Sequence, residues 1–291
     1  MPEKSTIIIP TVNNFSYLKL CIESIKKNSF YNHQIIVHIN GIDNESEDYL
    51  IGSNILYTKS DTNIGLCSGV NLASKKSNTD FIVYSHDDMY YLPKWDYYLF
   101  DEINKLKDDK FYFSSTNISH YPKNKDIINH IFFNSGKDLD DFDEEFLLSN
   151  YEDLKFHDLQ GSHWAPHIIH KKIWEKVGGF SEEFNPGFGS DPDLNMKLWK
   201  EGVRIFKAVN KSRVYHFGSL TTRKNRDIKR NDGRKTFLLK WKITMNYFIK
   251  YYLKRGKKYD NPLLDHKLSF TNFIPLILSK LKYYVKRNDG K

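Results

Sequence analysis

Four short apolar runs alternate with stretches of helical periodicity near the start of the chain, and each run is closed by polar residues. This pattern restricts the fold more than any other feature. Thr6-Ile7-Ile8-Ile9-Pro10 is a continuous apolar run ended by proline, as in a strand buried on both faces. Leu18, Ile22 and Ile25 then recur at helical spacing, on a helix that Asn13 or Asn14 could cap. Ile35–Ile39 follows one strand-helix-strand unit later and stops at Asn40-Gly41. Ile55-Leu56-Tyr57 reads as a third strand, Gly65–Lys76 as a helix and Phe81-Ile82-Val83-Tyr84 as a fourth strand. Such alternation predicts an α/β fold with a largely parallel sheet.

The chain has 291 residues, 40% of them hydrophobic, which is enough for one large domain and an appendage around a proper core. Apolar clusters recur throughout and argue against disorder. Cys21 and Cys67 are the only cysteines, which excludes a disulfide scaffold and fits a reducing compartment. Met-Pro-Glu-Lys leads straight into the first strand, so no targeting segment is expected. The apolar stretch Phe273–Leu278 is too short to span a bilayer. A cytoplasmic protein is expected, soluble or peripheral on the inner face of the cell membrane.

The net charge of +8 is unevenly spread. Residues 1–220 hold 24 Lys/Arg against 31 Asp/Glu, a net −7, whereas residues 221–291 hold 20 against 5, a net +15. A basic tail on a mildly acidic body predicts an anionic partner for the tail, either a membrane surface or nucleic acid.

Ligands of such sheets bind beyond the carboxyl ends of the strands. The polar groups Thr11-Val12-Asn13, Asn40-Gly41 and His86-Asp87-Asp88 fall there. Two adjacent carboxylates after a buried strand are costly unless paired or metal-bound, although a solvated Asp pair in a turn is the plainer alternative. The acidic run Asp138–Glu145 reads as a solvated loop or helix face. Asp191 stands just ahead of a helical stretch, Asp193–Glu201, where the helix dipole favours its ionised form. Asp191 as a simple capping group is the competing reading. His163, His167 and His170 could suggest zinc, but Pro166 interrupts any helix that would align them. His163 and Trp164 fit a ligand pocket better, since an aromatic face can stack on a ligand; Trp164 as plain core is equally compatible.

The segments Ile7–Asn14, Asn63-Ile64-Gly65, Gly69-Val70-Asn71 and Tyr84–Asp88 resemble the nucleotide-sugar half of family 2 glycosyltransferases of the GT-A fold. Val177–Phe184 and Ser190–Leu194 look like the acceptor half, in the family's order. The resemblance implies a GT-A, Rossmann-like domain over about 1–220, with its nucleotide-sugar half at about 1–100 and its acceptor half at about 101–220. A basic, aromatic-rich helical extension would occupy 221–291. It further implies an inverting transferase of cell-surface glycan synthesis that uses a nucleotide-diphosphate sugar with Mn²⁺ or Mg²⁺. By that resemblance Asp88 is the metal-binding aspartate, Asp87 lies near the ribose or metal, His216 completes the metal site, and Asp191 is the base. Pro10, Thr11 and Asn13 would hold the nucleotide, with Asn40, Asn63, Gly65 and Asn71 also on the donor side. His163 and Trp164 would line the acceptor pocket, where an aromatic face stacks on sugar C–H surfaces. The family's first aspartate is His86 here, its acidic partner before the base is Ser190, and its base-reading aspartate falls at Ile39. UDP remains the favoured nucleotide.

These roles suit the chemistry. A departing diphosphate needs its developing charge neutralised, and a cation held by few protein ligands keeps positions open for phosphate oxygens. Asp88 with His216 is a mixed set that suits Mn²⁺ somewhat better than Mg²⁺. Arg223 and Lys224 could add positive charge, or be ordinary surface cations. Inversion needs a base on the face opposite the leaving group, which Asp191 would supply to the hydroxyl of a saccharide or lipid-linked saccharide acceptor.

In the tail, Leu238, Trp241, Met245, Phe248 and Tyr252 predict one helical stripe flanked by Lys240, Lys242, Lys250 and Lys254, and a second aromatic, basic segment runs over Phe270–Arg287. Basic amphipathic helices of this kind suit an anionic membrane interface. The stripe could equally pack on the catalytic body, or join copies of the chain in a homo-oligomer. A non-catalytic carbohydrate- or nucleotide-binding protein of the same fold is the main rival reading. A nucleic-acid binder is the weaker one, because no stacking or groove-reading motif stands out.

Overall fold

The computed structural model describes residues 2–121, 130–161, 164–218 and 231–287. Its first half follows the predicted alternation: β1 (Thr6–Thr11), α1 (Phe15–Asn28), β2 (Gln34–Asn40), α2 (Asn44–Gly52), β3 (Leu56–Ser60), α3 (Leu66–Ser74) and β4 (Phe81–Tyr84). These four strands lie side by side in the order β3-β2-β1-β4, all parallel. Ile7, Ile8 and Ile9 are fully buried, as a strand covered on both faces requires. Leu18, Ile22 and Ile25 carry the buried face of α1, with Cys21 between them. Asn14 takes the N-cap position but makes no side-chain cap bond, so α1 begins without the expected cap.

The sheet continues through β5 (Met89–Tyr91), β6 (Phe111–Ser119), β7 (Ile131–Phe132), β8 (Leu159–Gln160), β9 (His167–His170) and β10 (Ile205–His216). Between them run α4 (Trp95–Ile103), α5 (Glu144–Asn150), α6 (Lys171–Val177) and α7 (Ser190–Lys200). The complete path is β3-β2-β1-β4-β9-β6-β10-β5. β9 is antiparallel to both β4 and β6, and β10 is parallel to β6 but antiparallel to β5. Most of the acidic run 138–145 is exposed or partly so, as expected, and ends where Asp143 caps α5 by accepting from Phe146 N.

The C-terminal residues form a helical layer with two parts. Gly233–Trp241 is α8, and Lys242 ends it in a left-handed conformation at φ 58°. The stripe predicted as one helix is therefore broken. It resumes as a turn at Met245–Tyr247 and a π-helical turn at Phe248–Tyr252. Even so, Leu238, Met245 and Phe248 are buried, and Trp241 and Tyr252 pack against the core of the body. Asp193 of α7, wholly buried, accepts from Trp241 Nε1 at 2.7 Å and Ser181 Oγ at 2.6 Å and pairs with Lys240 Nζ at 3.0 Å. Beyond this, Gly256 N donates to Gln160 O, Lys257 O accepts from Gln160 N and Tyr259 N donates to Asp158 O. The last element, α9 (Phe270–Lys286), stands on the outside of this layer.

Candidate active site

The carboxyl ends of β1, β2 and β4 converge on a cleft of about 790 Å³. Pro10 and Thr11 enter it from the end of β1, Asn40 from β2, and His86, Asp87 and Asp88 from the turn after β4. Thr11 donates its hydroxyl to Asp87 Oδ2 at 2.8 Å. Burial, and then the neighbouring Asp88 carboxylate, push the Asp87 acid well above the usual carboxylate range. The pair is not a solvated turn, because Asp87 and Asp88 are only 5% and 3% exposed.

His216 reaches Asp88 through sheet register. β10 pairs antiparallel with β5 so that His216 lies opposite Met89, next to Asp88. His216 Nε2 then stands 3.3 Å from Asp88 Oδ1, and His86 Nδ1 stands 3.9 Å from the same oxygen. One donor atom from each of His86, Asp88 and His216 lies within 4.8 Å of the others. Neither ring nitrogen of His216 has a hydrogen-bond partner, although the residue is buried. Burial lowers the His86 pKa to about 4, so its imidazole is neutral and keeps a lone pair for a metal. Two imidazoles and a carboxylate fit a divalent cation, and the nitrogen-rich set suits an ion softer than Mg²⁺. His86, read from sequence as a lost negative charge, thus stands beside Asp88 and His216 as a third donor.

The opposite wall is the start of α7. Gly189, at φ 95°, is the N-cap, and Asp191 lies in the first turn with Pro192 behind it, where a missing N–H costs nothing. The N-cap position belongs to Gly189 rather than Asp191, whose Oδ1 is buried and has no hydrogen-bond partner. Burial pushes its acid up to about 7, against the opposing pull of the Arg255 guanidinium. Ser190 donates its hydroxyl to Gly187 O and so tightens the loop before the helix.

Trp164 lines the cleft, and the Arg255 guanidinium lies 4.4 Å from its ring centre. Arg255 arrives there because residues 256–259 pair with the backbone of 158–160. Gly161 permits the approach, since a Cβ at its φ of 81° would meet Arg255 Cα at 2.9 Å. Asn231, Arg234 and Met245 close the same side. Asn231, Arg234 and Arg255 were not expected in the cleft, and Met245 was expected only in the tail stripe; of the cations after residue 220, only Arg223 and Lys224 were weighed for the diphosphate.

Residues 6–165, more than half of the chain, match the family model described as Glycosyl transferase family 2. The chain belongs to this family. No curated protein matches it by sequence. Among solved structures, S. aureus TarS 1–349 in complex with UDP superposes with a TM-score of 0.53 at 14% identity, covering 73% of this chain and 60% of that one. GalNAc-T7 with UDP, GalNAc and Mn²⁺ gives 0.59 at 14% identity, covering 86% and 50%. The mannosyltransferase PcManGT from Pyrobaculum calidifontis, with GDP-Man and Mn²⁺, gives 0.50 at 12% identity, covering 74% and 57%. This transferase chain therefore spans 60% or less of each of these proteins, and at such identities what it shares with them is the GT-A fold.

The glycosyltransferase cleft gathers Pro10, Thr11, Asn40, Asn63, Asp87, Asp88, Trp164 and Asp191 of the residues named from sequence, with His216 directly behind Asp88. Three others serve the scaffold. Gly65, at φ 86°, lets Asn185 approach, where a Cβ would lie 2.3 Å from Asn185 Oδ1. Asn71 spends its side-chain amide on both backbone groups of Phe180, tying α3 to the loop after α6. Asn13, at φ 46°, forms the turn into α1. Ile39 is core, so the polar group nearest to it on the cleft is Asn40, whose Oδ1 accepts from Ile64 N. His163, Arg223 and Lys224 lie outside the described residues. His167 is buried against the Tyr112 hydroxyl at 2.8 Å, while His170, three residues along the same strand and on its other face, meets Asp109. Those two histidines do not form a zinc site.

Proposed function

We propose that this family 2 transferase is an inverting enzyme that moves a sugar from a nucleotide-diphosphate donor, UDP favoured, to a hydroxyl of a saccharide or lipid-linked saccharide of the cell surface. The observation that carries this reading is Asp191: a carboxylate raised to about 7, with an unpartnered oxygen, in the same cleft as the His86, Asp88 and His216 group. Such a carboxylate is poised near neutral pH to accept the acceptor hydroxyl's proton. Thr11, Asn40 and Asn63 would seat the nucleoside, with Asp87 at the ribose, and Arg234 and Arg255 bring positive charge to the cleft that receives the diphosphate. The Trp164 face would orient the acceptor sugar. His86, Asp88 and His216 would hold Mn²⁺, or less favourably Mg²⁺, which when bound neutralises charge on the leaving oxygens. The division into a transferase unit over about 1–220 and an extension after it, with an anionic membrane surface as the extension's partner, is part of the same reading. No helix among the described residues is long and apolar enough to cross a membrane.

The test is nucleotide release from UDP-, GDP- and dTDP-sugars, with plausible acceptors and with Mn²⁺ or EDTA. Release should require the metal, and Asp191→Asn should lower kcat by about 10²- to 10⁴-fold at unchanged melting temperature. Unchanged turnover in that variant removes Asp191 as base. Calorimetric binding of UDP without turnover on any donor would instead support the non-catalytic binding role.

A further inference from the structure

Helix α9 turns its apolar side outward. Phe270, Phe273, Ile274, Ile277, Leu278, Leu281, Tyr284 and Val285 are each at least 43% exposed. At helical spacing they fill one continuous arc about 140° wide. The opposite side carries Asn272 and Ser279, both buried, and Leu276, which packs on the main hydrophobic core. Lys280 and Arg287 border one edge of the arc and Lys282 the other, and residues 266–287 contain no acidic side chain. Water-facing helices present the reverse pattern, with polar groups outward.

Lys280 also belongs to a second feature. Between α7, α8 and α9 lies a hollow of about 600 Å³ lined by Lys200, Arg204, Lys240, Lys242 and Lys280, with the aromatic rings of Trp199 and Trp241. Arg204 is matched by Asp265, and Lys240 by Asp193 and Glu183. Lys200, Lys242 and Lys280 form no ion pair among the described residues. Lys242 is held in the left-handed region, a conformation that a side chain with a Cβ adopts at a cost.

We propose that α9 and this hollow together form a binding surface for an anionic bilayer. The helix lies in the plane of the interface with its arc among the acyl chains, and a lipid phosphate is held by Lys200, Lys242 and Lys280. This deepens the membrane reading given above and narrows it to one face. Charge complementarity selects the occupant. Stacking two copies of the arc would bring the bordering cations of one helix toward those of the other, whereas an anionic surface satisfies both the arc and its borders. The body over 1–220, at net −7, would be repelled by such a surface and so face away from it. The hollow also backs onto the cleft: Lys242 and Ile243 line the hollow, while Met245 and Asn246, two residues on, line the cleft. A bilayer bound at α9 is thereby brought close to the site proposed for a lipid-linked acceptor.

The experiment is flotation of the full chain with vesicles of phosphatidylcholine, of phosphatidylcholine with phosphatidylglycerol, and of phosphatidylcholine with phosphatidic acid. No nucleotide sugar is present, and both the wild type and Asp191→Asn are used, so the result does not depend on the transferase reading. Binding is expected to the two anionic compositions only, and to weaken as salt is raised. The double variant Ile277→Asp/Leu281→Asp should lower binding by about tenfold or more with an unchanged circular dichroism spectrum. The triple variant Lys200→Gln/Lys242→Gln/Lys280→Gln should remove any preference for phosphatidic acid, whose phosphate is the most exposed. Retained binding in the double variant overturns the proposal. So does absence of binding to either anionic composition, or a wild-type dimer that the double variant converts to monomer without any vesicle binding, since a second copy would then own the face. If inorganic phosphate alone occupies the hollow in calorimetry while the triple variant floats like wild type, the headgroup half of the proposal falls.

Discussion

Residues 231–263 and 270–287 have the same kind of composition, basic and aromatic, and opposite fates. The first segment buries Phe237, Met245, Phe248 and Leu253 in the body's core and commits its lysine at 240 to a buried aspartate. The second leaves eight large apolar side chains in the open. The difference lies in what the body offers each segment. Facing the first are Asp193, Ser181 and the backbone of 158–160, which satisfy an indole N–H, an ammonium and three peptide groups. For α9 the polar contact comes from the inner segment itself, where Thr244 N donates to Ser279 Oγ. Amphipathic composition alone therefore does not say which side of a helix finds a partner; buried polar groups that demand satisfaction do.

The contrast can be broken most directly at Asp193. Asp193→Ala leaves Lys240 and the Trp241 N–H without their buried acceptor and should cost about 3 kcal/mol of stability, the low end for a broken buried pair because Lys240 is a quarter exposed. Urea unfolding measures it, and a loss below about 0.5 kcal/mol would mean that the inner segment is not anchored there. Arg255→Gln should act next in size and without unfolding the protein. Arg255 favours the ionised form of Asp191, so its removal raises the pH at which this carboxyl deprotonates. The acid limb of the kcat/KM profile, expected near 7, should move to higher pH, with roughly a threefold loss at pH 6.5 that fades at pH 9. An unmoved limb with uniformly lower activity would leave Arg255 a role in donor binding alone. The smallest effect is expected on the outer segment, where Ile277→Asp should change urea stability by no more than about 0.5 kcal/mol. A large loss there would show that α9 supports the fold as the inner segment does.

The sheet was legible because its signals are local. Each of β1, β2 and β4 is an apolar run that must be buried, and each ends in residues that line the cleft. Asp88, His216 and Asp191 were found through their order in a family pattern, and the structure brings them to one region. His86 occupied the right position but was weighed by charge, whereas its neutral nitrogen is what a metal site would use. Arg255 carried no readable signal. Its place depends on backbone pairing with residues about a hundred positions earlier, and no periodicity encodes that. The broken stripe at Lys242 was hidden for a similar reason, because a lysine is an ordinary helix residue unless a tertiary contact requires a left-handed bend.

One turn of α7 presents Asp191 to the cleft and Asp193 to the C-terminal layer. Two residues along a helix are about 200° apart, so one short motif serves two surfaces at once. A mutational scan scored on activity alone would rank both carboxylates as catalytic. Asp193 is a joint, and its failure would only resemble a chemical defect. Measured turnover per folded molecule separates them, and the same correction applies to any variant read across this helix.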